Sequence, residues 1–262
     1  MGDAAATSEL VIERHGNVVV LRLNRPEARN ALTPALVGAL GLALVEADAD
    51  PEVRAVVLTG TGTKAFCAGM DLRAFAGGDQ MAGGDDPGMA GFLRFVQGEI
   101  ATPIVGAANG AAVAGGLELL LGCDVVVAST DARFGLPEVQ RGLFAAGGGT
   151  FIGQRIPLAV ALEMALTGNL IDAGRAYQLG LVNALVPPTD VLDAARAMAD
   201  RIAANGPLGV AASKELVRLA ASDAGRARER LAAWQKIVFS SEDAQEGARA
   251  FVEKRPPVWT GR

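Results

Sequence analysis

The sequence predicts an α/β protein with a helical C-terminal third. Two observations carry this expectation. Apolar strand-like runs alternate with helix-spaced stretches up to about residue 155, and from Pro157 onward the periodicity is almost wholly helical. Residues 17–23 (NVVVLRL) read as a strand that ends in the turn Asn24-Arg25-Pro26-Glu27. Thr33-Pro34 opens a helix, with Thr as N-cap and Pro at the first helical position. Leu36, Val37, Leu40 and Leu44 follow at helical spacing, and Asp50-Pro51 closes it. Residues 53–58 form a second strand, apolar on both faces, and residues 67–72 a tight turn into a short helix. Residues 77–91 carry several Gly with Asp79, Asp85, Asp86 and Pro87, and read as a mobile surface loop. Residues 103–108 give a third strand, 115–121 a short helix after a Gly-rich turn, and 123–128 a fourth strand. Val191, Leu192, Ala195, Met198, Ala199 and Ile202 mark the apolar face of a later helix, stopped by Asn205-Gly206-Pro207. Further helices fit 208–221, 226–239 and 243–252. The division follows: residues 1–190 as the core and 191–262 as a C-terminal helical region.

Composition narrows the function classes. The chain has 262 residues, 29 acidic against 24 basic, and a net charge of −5, so a dedicated nucleic-acid binder is disfavoured. Only four of the basic residues are Lys, at 64, 214, 236 and 254, too few for a Lys-rich RNA-binding patch. Cys67 and Cys123 are not in a C-x-x-C pair and read as small buried hydrophobes in a reducing, cytoplasmic setting. The first ten residues lack a secretory pattern. The most apolar span, 104–129, contains Asn109, Glu118, Asp124 and several glycines, which argues against a membrane span. With His15 as the single histidine, a histidine triad and a histidine metal cluster are both nearly excluded, and no metal site is expected.

Four features could carry chemistry. Gly60-x-Gly62-x-x-Ala65 follows a strand, but no long helix succeeds it, so it reads as a turn and not a dinucleotide fingerprint. Two Gly-rich turns, Ala68-Gly69-Met70-Asp71 and Ala114-Gly115-Gly116-Leu117-Glu118, lead into short helices. Their free backbone N–H groups could hold an oxygen that gains negative charge. Glu118 lies in an otherwise apolar helix, three residues after Gly115 and on the same face. Glu138 follows the Pro-fixed turn Phe134-Gly135-Leu136-Pro137, close enough along the chain to share a pocket with Glu118. Two carboxylates in different environments can divide acid and base roles.

With these residues in hand, the chain resembles the crotonase (enoyl-CoA hydratase/isomerase) superfamily. The likeness is carried by residues 23–32 (LNRPEARNAL), 58–60 (LTG), 65–72 (AFCAGMDL), 109–119 (NGAAVAGGLEL), Cys123-Asp124, 134–138 (FGLPE), 166–168 (LTG), 180–183 (GLVN) and 251–255 (FVEKR). These run in family order over residues 10–255, essentially the whole chain. The resemblance implies a crotonase-like spiral of β-β-α units, C-terminal helices that drive trimerisation, as a homotrimer or a dimer of trimers, and a role in fatty acid metabolism. It implies an acyl-CoA thioester as substrate, with CoA entering as part of that substrate and no separate cofactor. The amides of Met70 and Gly115 would form the hole for the thioester oxygen. The turn around Ala28, with Ala68, Asp71 and Leu72, would line the CoA. Phe251 and Lys254 would reach the nucleotide end across a subunit boundary. Glu118 and Glu138 fall on the family's two hydratase glutamates.

Two departures stand out: Met70 in place of a small residue, and Ala114 where many members have a third Gly, from which little effect is expected. The implied reaction is reversible addition of water to the 2,3 double bond of an enoyl-CoA. Glu118 would be the base, held ionised by the helix N-terminus, and Glu138 the acid at C2. Alternatives within the superfamily are dehydration of a specialised 3-hydroxyacyl-CoA, isomerisation, hydrolysis and decarboxylation. A non-catalytic acyl-CoA binder is disfavoured by the presence of both glutamates.

Overall fold

Ten strands divide between two sheets in a computed structural model that describes residues 8–73, 77 and 86–262. The larger sheet takes β1 (Leu10–His15), β2 (Val18–Leu23), β3 (Ala55–Gly60), β5 (Ile104–Ala108), β7 (Val125–Ser129) and β10 (Ala184–Val186), side by side in that order. The smaller takes β4 (Ala65–Cys67), β6 (Ala111–Val113), β8 (Arg133–Gly135) and β9 (Ile171–Asp172). Only β1–β2 and β8–β9 pair antiparallel. Three long strands of the parallel run are each followed by a short strand in the other sheet: β3 by β4, β5 by β6, β7 by β8. The chain thus winds as a spiral of β-β-α turns, as the sequence led us to expect. The short strands were not read from the sequence, because two or three residues are too few to show an alternation.

The central parallel strands β3 and β5 are buried on both faces, so they are almost wholly apolar. Alternate residues divide the core in two. Leu21, Leu23, Val56 and Leu58 face helix α1 (Pro34–Ala49) through Leu36, Val37, Leu40 and Leu44. Val18, Val20, Ala55, Val57 and Val105 face helix α6 (Val191–Ala203) through Val191, Ala195 and Ala199. Helix α6, which opens the C-terminal region, therefore covers the second face of the large sheet.

Residues 87–96 correct one expectation. The stretch read as the end of a mobile loop is helix α2 (Pro87–Val96), capped by Asp86, whose Oδ1 accepts from the Met89 N–H at 2.9 Å. Its glycines serve contact and not mobility. A Cβ on Gly41 of α1 would lie 1.8 Å from the Gly88 oxygen, and one on Gly91 would lie 2.4 Å from the Gly41 oxygen. The two helices cross backbone to backbone. The rest of that expected loop, residues 78–85, lies outside the described residues.

The remaining helices are α3 (Gly115–Gly122), α4 (Leu158–Thr167), α5 (Ala173–Gln178), α7 (Pro207–Ser222), α8 (Ala224–Phe239) and α9 (Glu242–Glu253). Among the described residues no helix is long and apolar enough to cross a membrane.

Candidate active site

The two Gly-rich turns meet. Leu32 bridges to Met70: the Leu32 N–H donates to the Gly69 oxygen (2.8 Å) and the Leu32 oxygen accepts from the Asp71 N–H (2.9 Å). In such a parallel bridge the residue between the two bonds turns its own N–H to the other side. That side is where β6 delivers Gly115. A Cβ on Gly69 (φ +90°) would lie 2.7 Å from the Ala114 Cβ and 3.2 Å from the Gly115 nitrogen, so only glycine lets the turns approach this closely. Neither the Met70 nor the Gly115 amide is bonded to a partner among the described residues. Gly115 is the first residue of α3, where N–H groups are free by construction. Its predecessor Ala114, from which little effect was expected, sits at φ 54°, ψ −126°. A non-glycine residue there is strained by roughly 1–3 kcal/mol.

Glu118 is buried at 9% exposure on the same face of α3 as Gly115, its Oε2 lying 3.7 Å from where a Gly115 Cβ would be. Its Oε1 accepts from the Gly149 N–H at 2.9 Å, and the Gly147 N–H faces the same carboxylate. Burial pushes Glu118 above the ordinary glutamate range. The Gly149 amide opposes this, the negative charge of Glu138 adds to it, and the Gly147 amide opposes it. The donors that oppose burial come from the loop at 147–149 and not from the N-terminus of α3, which was expected to support the ionised form, and burial outweighs them.

Glu138 lies in the one-turn 3-10 helix Pro137–Arg141. Burial raises its carboxyl as well, against its own backbone N–H and the Arg141 charge. Its Oε2 is buried with no hydrogen-bond partner among the described residues. Two acids of raised pKa thus come together, the charge of Glu138 acting on Glu118, but they differ in support. Glu118 is cradled by N–H donors, and Glu138 carries a bare oxygen.

Beside Met70 the chain gathers the residues expected to line the CoA. Ala28 ends the 3-10 helix Pro26–Ala28, and the Ala68 N–H donates to the neighbouring Arg29 oxygen at 3.0 Å. Arg25 ties this loop together: it donates to the Ala31 oxygen (2.6 Å) and pairs with Asp71 (3.1 Å) and Glu9 (2.9 Å). Leu72 is 43% exposed beside them. Phe251 (85% exposed) and Lys254, the C-cap of α9, lie on the last helix, whose neighbours are α8 and the C-terminal tail; the single chain does not join them to this group. Gly60 and Gly62 belong to a turn closed by Asn109, which accepts from the Gly60 N–H (3.1 Å) and donates to the Gly62 oxygen (2.6 Å). The sequence reading missed Gly147, Gly149 and Arg25. The run Gly147-Gly148-Gly149 was the available signal, since loops that donate several N–H groups to one anion are rich in glycine.

The chain is similar to known proteins over nearly its whole length. The sequence profile of the enoyl-CoA hydratase/isomerase family matches residues 13–262. A carnitinyl-CoA dehydratase of Proteus mirabilis is 37% identical over 263 residues, spanning 98% of this chain and 100% of the relative. Among solved structures, an enoyl-CoA hydratase of Mycobacterium tuberculosis H37Rv superposes with a TM-score of 0.87 at 42% identity, covering 97% of this chain and 99% of that one. A carnitinyl-CoA hydratase of Mycobacterium avium superposes with a TM-score of 0.77 at 45% identity, over 98% and 100%.

Proposed function

The chain belongs to the enoyl-CoA hydratase/isomerase family, and from that premise we propose that it adds water reversibly across the 2,3 double bond of an acyl-CoA thioester. The observation that carries this reading is the pair Glu118, buried beside the unbonded Gly115 amide, and Glu138, half-buried, whose charge reaches Glu118. In the forward direction the Met70 and Gly115 amides hold the thioester oxygen. Water attacks C3, the alkene electron pair moves through C2 toward that oxygen, and the amides stabilise the charge. Loss of one such donor typically costs ~10²–10³ in rate. Of the two acids, Glu118 takes the proton from the water, since burial raises both but only Glu118 has backbone N–H donors from the 147–149 loop that favour its ionised form. Glu138, without such donors at Oε2, carries the proton delivered to C2. Each acid changes state once, so an opposing proton transfer through water resets the pair.

Ala28, Ala68, Asp71 and Leu72 are proposed to line the CoA, and Phe251 and Lys254 to reach its nucleotide end from a second copy. The outward apolar side chains of the C-terminal helices, Phe239, Phe251 and Val252, support assembly as a trimer or a dimer of trimers. Catalysis would then need no cofactor beyond the CoA of the substrate, and the enzyme would act in the cytoplasm.

A second reading has its own support. Two similar proteins are named for carnitinyl-CoA, a 3-hydroxyacyl-CoA bearing a quaternary ammonium, so dehydration of such a substrate is the alternative direction of the same chemistry. The test uses Glu118→Gln and Glu138→Gln with crotonyl-CoA and with carnitinyl-CoA. We expect each variant to lose at least ~10² in turnover on the true substrate. Near-native turnover by both variants ends the proposal, and preference for carnitinyl-CoA decides for the second reading.

A further inference from the structure

The C-terminal end of α3 is closed by side chains from two distant segments. A helix leaves its last four carbonyls without internal partners. Here Arg155 donates to the oxygens of Leu121 (2.9 Å) and Cys123 (2.5 Å), and Arg218 to those of Gly122 (2.9 Å) and Cys123 (3.2 Å). Asp124, the next residue, holds the arrangement together. Its carboxylate accepts from Arg218 Nε (2.9 Å), Lys214 Nζ (2.8 Å) and the Ile104 N–H (2.8 Å). Lys214, its side chain 9% exposed, also donates to the Thr102 oxygen at 2.9 Å.

Helix α3 has eight residues, and a helix that short does not hold itself in water. Its position is set by what binds its ends. The N-terminal end carries Gly115 and, one turn in, Glu118. The other end is about 10 Å away along the axis. Two guanidiniums there sit where the helix dipole is negative and satisfy the exposed carbonyls. Arg155 has a second link to the site. It directly follows the 3-10 helix Gly149–Gln154, whose first residue donates to Glu118. The segment 149–155 is therefore pinned to α3 at both ends, once through the Glu118 carboxylate and once through the terminal carbonyls. Arg218 lies on α7, so the C-terminal helical region reaches the same helix.

We infer that Arg155 and Arg218 are positioning residues for the proposed hydration. By fixing the C-terminal end of α3, they set where the Gly115 amide and the Glu118 carboxylate meet the thioester. This rests on the hydratase reading, since it assigns a purpose to Gly115 and Glu118. It adds that the C-terminal region supports the reacting groups directly, in addition to any part it plays in assembly.

The experiment compares Arg155→Gln, Arg218→Gln, Arg155→Lys and Arg218→Lys with the wild type in the full-length enzyme. Three quantities are read: kcat and KM for crotonyl-CoA, the melting temperature, and the absorption of a bound aryl-enoyl-CoA. That chromophore shifts to the red when its carbonyl is polarised, so the shift reports the Gly115 amide independently of turnover. A misplacement near 1 Å costs up to about 100-fold in rate, so the Gln variants are expected to lose about 10- to 100-fold in kcat with little change in KM. The red shift of the bound chromophore should shrink with it. The Lys variants keep the charge on a single donor nitrogen but not the fork, and should recover part of kcat and part of the shift. Folded Gln variants that keep wild-type kcat and the full red shift, with only a lower melting temperature, overturn the inference. Where a Gln variant fails to fold, the Lys variant at the same position carries the same test. Near-native turnover by both Glu118→Gln and Glu138→Gln would instead overturn the hydratase reading, whatever the arginine variants do.

Discussion

The Gly149 N–H donates to Oε1 of Glu118 at 2.9 Å, although 31 residues of chain separate the two. The buried acid on α3 is therefore aimed by a loop that belongs to a later turn of the spiral. Gly147 supplies the other wall, where a Cβ would lie 2.6 Å from Glu118 Oε2.

Gly147→Ala should displace the Glu118 carboxylate while leaving the CoA loops near Met70 in place. We expect a fall in kcat of about 100-fold, on the scale of a 1 Å misplacement. Affinity for CoA itself, measured by titration calorimetry, should not change. An enzyme that tolerates the methyl group with unchanged kcat would show that the cradle does not aim the acid.

Burial raises both Glu118 and Glu138 above the ordinary value of 4.5, so the folded protein holds protons there that the unfolded chain has released. Stability then falls as pH rises from about that value through the raised folded values, because the unfolded state binds fewer protons in this window. Glu138→Gln removes one titrating group and should flatten the decline. Urea unfolding of wild type and variant from pH 4.5 to 8 checks this, and parallel profiles would refute it. The acidic limb of kcat/KM should likewise lie above the ordinary glutamate range, since an ionised base is needed.

Ala114 occupies φ 54°, ψ −126°, a conformation that glycine adopts freely. Ala114→Gly relieves roughly 1–3 kcal/mol of strain and gives back about 0.4–1 kcal/mol through the more flexible unfolded chain. The expected outcome is a net gain of about 1 kcal/mol, seen as a higher urea midpoint with activity retained. A loss of stability would mean that the Ala114 methyl, packed toward Gly69, contributes more than its backbone costs.

The parts of this protein written in local order were legible in its sequence. The long strands, the Thr33-Pro34 helix start, the two Gly-rich turns and both glutamates all declare themselves within a few residues. Helix α2 was equally legible in principle, for Asp86-Pro87 repeats the cap-and-proline signal of Thr33-Pro34. It was obscured because Gly88 and Gly91 look like loop residues until their partner Gly41 is known. What stayed hidden is what depends on distant pairing: Gly149 with Glu118, Arg25 with Asp71, and Arg218 with the end of α3, 96 residues from Gly122. No window of sequence contains both members of such a pair. The donors to Glu118 stayed hidden for the same reason, since they come from another turn of the chain.

The crossing of α1 and α2 has a consequence for how this chain can diverge. With main-chain atoms touching at Gly41, Gly88 and Gly91, no residue swap can widen the gap without forcing the two rods apart. A side chain larger than hydrogen at any of the three would have to shift a whole helix, so this joint tolerates change only by a rigid-body move of one rod against the other.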